Sequence, residues 1–131
     1  MMKALRIVGN FVAIDENVCK QFVHEMGLLE ALKSCLTVGA KTHKKEVLWI
    51  ISNIAANSED EARAIIKKGL LINLINGAKD KNVDVRKEAV WVISNLCYII
   101  RDKETLLEII HADVLTLIYE ILVYDGDLGQ I

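Results

Sequence analysis

Apolar residues in this chain recur three and four positions apart, in blocks separated by glycines or by residues that cap helices. Leu28, Leu29, Leu32, Cys35 and Leu36 trace one such stripe, and Leu70 to Ala78 carries another. The pattern predicts helices throughout. Residues 1–13 read as a helix, Asp15-Glu16-Asn17 as a turn, and Val18 to Met26 as a short helix closed by Gly27. Leu28 to Val38 is a second helix, broken by Gly39-Ala40-Lys41. Thr42 is placed to cap a long third helix over about 43–56. Then the cycle repeats. Ser58-x-x-Glu61 has the form of a capping box for a short helix ending near Gly69; Leu70 to Ala78 follows, Lys79 to Asn82 is a turn, and 83–99 is the long helix again. Asp102 opens another short helix, Thr105 to His111. Val114 to Tyr124 is its partner, Gly126 ends it, and Asp127 to Ile131 is a stub.

The period can be read from single residues. Asn10, Asn53 and Asn95 lie 43 and 42 residues apart, and Gly27, Gly69 and Ala112 lie 42 and 43 apart. Three helices every ~42 residues is the signature of the armadillo/HEAT class, an all-α, right-handed α-solenoid. The units are 1–13 (a third helix alone), 14–57, 58–100, and 101–131, which lacks its third helix.

The long helices carry the most specific pattern. Lys45-Glu46-Val47-Leu48-Trp49-Ile50-Ile51-Ser52-Asn53-Ile54 returns as Lys87-Glu88-Ala89-Val90-Trp91-Val92-Ile93-Ser94-Asn95-Leu96, and in part as Ala4-Leu5-Arg6-Ile7-Val8-Gly9-Asn10-Phe11. At about 100° per residue, Glu46, Asn53 and Ser52 fall within about 60° of Trp49, with Val47, Ile51 and Ile54 opposite. Each tryptophan is thus centred on a polar arc. Aligned aromatic groups among polar neighbours mark a contact surface.

Composition narrows the function. The formal net charge of −2 gives no basic patch for nucleic acid. No apolar run approaches the ~20 residues of a membrane span, and no signal-peptide pattern opens the chain, so a soluble intracellular protein is expected. With 53% hydrophobic residues, no Pro and 7 Gly, little interrupts the helices. Cys19, Cys35 and Cys97 form no C-x-x-C pair and read as reduced thiols, Cys35 and Cys97 as buried ones. His24, His43 and His111 have no ligand spacing, so neither metal nor cofactor is expected. No phosphate loop, H-E-x-x-H, G-x-S-x-G or Ser/His/Asp grouping suggests an enzyme.

The three strings resemble the armadillo repeats of importin-α (karyopherin-α), the adaptor that binds nuclear localisation signals, and the resemblance runs over essentially the whole chain. An Arg-bearing copy followed by two Trp–Asn copies resembles the C-terminal half of that domain, which carries the family's minor signal-binding site. The resemblance implies a ligand of basic Lys/Arg-rich cargo peptides, shuttling between cytoplasm and nucleus, and importin-β binding only through regions absent from 1–131. It also implies that Val12 lines the site and that Arg6 interrupts the aromatic row and pairs with an acidic group.

The residues supply a mechanism of their own. The carboxamides of Asn53 and Asn95, extended by Asn10, can both donate to and accept from a peptide backbone whatever its sequence. Trp49 and Trp91 provide walls for Lys or Arg stems, Glu46 and Glu88 provide carboxylates for their cationic heads, and Ser52 and Ser94 offer further hydroxyls. Lys45 and Lys87 would repel such a ligand unless they point to the rim or pair with a neighbouring unit. The competing expectation is another armadillo scaffold that binds protein partners without reading a signal peptide. A final expectation concerns the ends. Leu5, Val8, Phe11 and Val12 have no first or second helix of their own unit to cover them, and Leu115, Ile118 and Leu122 lack a third. Self-association, by stacking or by helix exchange, follows.

Overall fold

The computed structural model describes residues 2–38 and 41–123, and among these there are helices and no strand. They run α1 (Met2–Ile14), α2 (Glu16–His24), α3 (Leu28–Val38), α4 (Lys41–Asn57), α5 (Glu59–Lys67), α6 (Leu71–Ala78), α7 (Val83–Ile99), α8 (Lys103–Ile109), a π-helical turn (Ile110–Val114) and α9 (Leu115–Val123). The readings made for Gly39-Ala40, Tyr124 and Gly126 to Ile131 lie outside the described residues.

Three ladders arise from the repeat. The long helices α1, α4 and α7 pack side by side, the short helices α2, α5 and α8 stack beside them, and α3, α6 and the π-turn form the third row. The core runs through the stack and is deepest at α4, which is covered from several directions. In α4, Val47, Leu48, Ile50, Ile51, Ile54 and Ala55 are fully buried, a wider apolar arc than a single stripe. Only Lys45, Glu46, Trp49 and Asn53 retain appreciable exposure in the middle of that helix.

The helix ends refine the expected boundaries. Asp15 is the N-cap of α2, its carboxylate accepting from the amides of Asn17 at 2.8 Å and Val18 at 3.1 Å, so the helix begins before Val18. α4 begins at Lys41, which places Thr42 inside the helix rather than at its cap. Asn82 caps α7 by accepting from Val85 N at 3.1 Å. At α5 the capping box is altered: Ser58 donates its hydroxyl to the Glu61 carboxylate and makes no bond to the helix amides. Glu61 is fully buried, with its other oxygen 3.6 Å from His24 Nε2 on α2. Burial, followed by the charge of Glu61, pushes the nearby Cys19 thiol up to about 11, an inert buried thiol.

The last unit departs from the two before it. Gly27 and Gly69 end their helices with φ of 67° and 78°, which glycine adopts without steric penalty. Ala112 stands at the same register, where a left-handed backbone is disfavoured. There α8 runs through the π-turn into α9 without the break expected near it. The 43-residue spacing from Gly69 to Ala112, one longer than from Gly27 to Gly69, matches the single extra residue of a π-bulge.

Candidate peptide-binding groove

The sequence repeat becomes a spatial one on the wall formed by α1, α4 and α7. Trp49, Ser52 and Asn53 from α4 meet Lys87, Glu88 and Trp91 from α7 around an open recess of about 340 Å³. The two helices supply different halves of the repeated motif, because each faces its neighbour with a different flank. Five residues singled out from the sequence, Trp49, Ser52, Asn53, Glu88 and Trp91, are therefore together.

Their states differ. Trp91 is 58% exposed and forms an open wall. Trp49 is half-buried, because its benzenoid edge lies on Gly9 of α1: a Cβ at Gly9 would come 2.4 Å from Trp49 Cζ3. Gly9 occupies the register of Ser52 and Ser94, so the imperfect first copy of the motif is the seat of the first tryptophan. Ser52 is 4% exposed and donates to Trp49 O at 2.7 Å, so its hydroxyl hydrogen is already used. The Asn53 Nδ2 is shielded and has no partner within the protein. Glu88 is half-buried, and this burial raises its carboxyl above the usual range. Lys45 opposes the shift, while Asp84 and Glu46 add to it.

The remaining predicted residues fall elsewhere. Arg6 donates from Nε to Glu46 Oε1 at 3.0 Å across the α1–α4 boundary, so the acidic partner expected for Arg6 is an internal one. Glu46 is correspondingly engaged through one of its two oxygens. Val12 is 3% exposed and belongs to the core, so it presents no surface to a ligand. Its register is that of Ala55, also fully buried. Asn10 is exposed on α1, and Asn95 is half-buried on α7 outside the recess. Ser94 is exposed and lines a separate groove between α7 and α9, as does Cys97, whose expected burial is corrected by its exposure.

Charges left open by the sequence also find positions. Lys45 pairs with Asp84 on the next unit at 3.9 Å and Lys44 with Asp80 at 3.6 Å, whereas Lys87 lines the recess itself. The role of Gly9 is signalled in the sequence only by a glycine in the serine register, and the pairing of Asp84 with Lys45 depends on the neighbouring unit. Among the described residues, no group of three or more His, Cys, Asp or Glu could hold a metal ion, and no helix is long and apolar enough to cross a membrane.

Comparison with known proteins defines the class. The family model of the Armadillo/beta-catenin-like repeat matches residues 69–98, from the turn after α5 through most of α7. A designed armadillo repeat protein in complex with the peptide (KR)4 superposes with a TM-score of 0.84 at 27% identity, covering 92% of this chain and 49% of that one. A second designed armadillo repeat protein gives 0.84 at 25% identity, over 95% and 50%. The chain has the fold of an armadillo-repeat solenoid.

Curated proteins to which the chain is similar are importin-α subunits. It is 40% identical over 77 residues to importin subunit alpha-1a of Oryza sativa subsp. japonica, covering 58% of this chain and 14% of the relative. It is 29% identical over 104 residues to importin subunit alpha-2 of the same organism, covering 76% and 20%. With importin subunit alpha-9 of Arabidopsis thaliana it shares 28% over 102 residues, covering 74% and 20%. The chain thus spans a fifth or less of the length of these relatives.

Proposed function

We propose that this chain is a section of a nuclear-import adaptor that holds a basic, extended signal peptide across α4 and α7, in the manner of a minor signal-binding site. The observation that carries the proposal is the single recess bounded by Trp49 and Trp91 and containing Asn53 and Glu88. A Lys or Arg stem fits between the indoles, its cationic head meets Glu88, and the Asn53 carboxamide holds the peptide backbone. Arg6 and Glu46 neutralise each other at the adjacent boundary, so the aromatic row is continued there by an internal ion pair. The relatives' names, and the basic peptide held by one structural neighbour, support the same ligand class. The activity is binding rather than catalysis. Shuttling between cytoplasm and nucleus belongs to the same proposal, as does importin-β binding through segments outside these residues.

Lys87 in the recess favours a second reading, an armadillo scaffold for a partner of mixed charge. Calorimetric titration with a Lys/Arg-rich peptide separates the two. Trp91→Ala should weaken binding about two- to fivefold through lost cation–π attraction alone, and Asn53→Ala should weaken it for peptides of any basic sequence. Lys87→Ala should strengthen it. Binding unchanged by both Trp91→Ala and Asn53→Ala removes the groove assignment and leaves the scaffold reading.

A further inference from the structure

The recess between α4 and α7 has one wall whose position is set from behind. Trp49 stands between the recess and α1, and its ring leans on Gly9 of that helix. A Cβ at Gly9 would lie 2.4 Å from Trp49 Cζ3, 3.1 Å from Trp49 Cε3 and 3.2 Å from Ile50 Cγ1. Atoms in ordinary contact stand at 3.4 Å or more, so the ring rests where only a glycine leaves room. Gly9 lies inside a helix and has no left-handed backbone to require it, and glycine there weakens the helix relative to alanine. The ring of Trp49, and not the conformation of α1, accounts for a glycine at this position.

We propose that Gly9 is a positioning residue for the peptide site. It lets the Trp49 indole lie back against α1, and so sets the distance between the two indoles that receive a Lys or Arg stem. The inference rests on the peptide-binding reading of the recess and adds to it the residue that fixes the width of the slot.

Packing gives the direction of the effect. The chain neighbours of Trp49, Leu48 and Ile50, are fully buried, and Ile50 itself closes on the Gly9 position. The recess is the open side of the ring. A methyl group at Gly9 therefore drives the indole toward Trp91 by about 1 Å, the shortfall in the Cζ3 contact. An aliphatic stem gripped by both rings has no slack of that size, because close-packed groups feel changes of even one methylene. The charges of the recess, Glu88 and Lys87, are left as they were. The effect is one of shape.

Two measurements on the full chain test this. In a Trp91→Phe background Trp49 is the one remaining tryptophan, and acrylamide quenching of its fluorescence reports its access to solvent. Gly9→Ala should raise the quenching constant as the ring leaves its seat for the recess. In calorimetric titration with a Lys/Arg-rich peptide, Gly9→Ala should weaken binding about two- to fivefold, the size of one exposed cation–π contact. In a Trp49→Phe background, whose phenyl ring stops short of the Cζ3 position, the same substitution should have no further effect. Equal weakening in both backgrounds overturns the proposal, because it assigns the effect to the helix and not to the ring. So does an unchanged quenching constant, which marks α1 and α4 moving apart to admit the methyl group. A Gly9→Ala chain that unfolds while its Trp49→Phe double variant folds also overturns it, since the ring then has no freedom to enter the recess. A wild-type chain that binds no basic peptide removes the peptide-binding reading and this inference together; one that binds and is indifferent to Gly9→Ala removes this inference alone.

Discussion

Trp49 and Trp91 hold the same letter in the repeat and different physical positions. The ring of Trp49 rests on Gly9, where even a methyl group would collide with it, while Trp91 stands 58% exposed. The same contrast separates the carboxylates, because Glu46 is bound to Arg6 and Glu88 is left to the recess. On the proposed function, Glu88 should make peptide affinity depend on pH. Burial raises its carboxyl in the free groove, and a cationic side chain binds the ionised form. Affinity for a basic peptide should therefore be level at neutral pH and fall on acidification, as pH passes down through the raised Glu88 value toward the ordinary carboxylate range. In Glu88→Gln, binding should be weaker at neutral pH and that fall should disappear; titrations at a series of pH values check both. A parallel decline in the variant would assign the effect to another group.

Among the elements, alternating stripes, glycine stops and caps were legible because each depends on neighbours within about four residues. The long helix at Val83–Ile99 matches its expected span, and Asp102 caps α8 by accepting from Thr105 N at 3.0 Å. Hydrogen bonds from the Thr105 hydroxyl and then its amide hold the Asp102 carboxyl below its ordinary value. The π-turn was not legible, since apolar periodicity does not distinguish a helix that stops from one that gains a residue. Backbone handedness does. At Gly69, φ is 78°, and Gly69→Ala should destabilise the protein by about 1–2 kcal/mol, read as a lower denaturant midpoint at unchanged slope. The Lys33 Nζ would lie 3.1 Å from the new Cβ, but it is the end of a flexible chain and can move aside, so backbone strain dominates.

The whole molecule behaves as a stack in which burial depends on how many neighbours a unit has. α4 is covered by α1 on one flank and α7 on the other, and six of its side chains from Val47 to Ala55 have no exposure. Hydrogen exchange should follow that order, with the central amides of α4 protected longest and those of α1 and α9 exchanging first. Uniform protection along the chain would show instead a single cooperative unit insensitive to position in the stack. Ion pairs between units, such as Lys68–Glu30 at 3.4 Å and Lys44–Asp80 at 3.6 Å, lie at or near the surface and add little beside this burial.

The sequence by itself determined the period, the three-helix unit and the polar arc on which each tryptophan sits, because helical geometry converts spacing directly into direction. Tertiary structure decided which copies of the motif share one recess. Val12 lies in the core, Ser52 bonds its own helix, and Arg6 reaches Glu46 forty positions away. Those outcomes depend on which helix stands on each flank, a long-range packing relation that local periodicity does not encode.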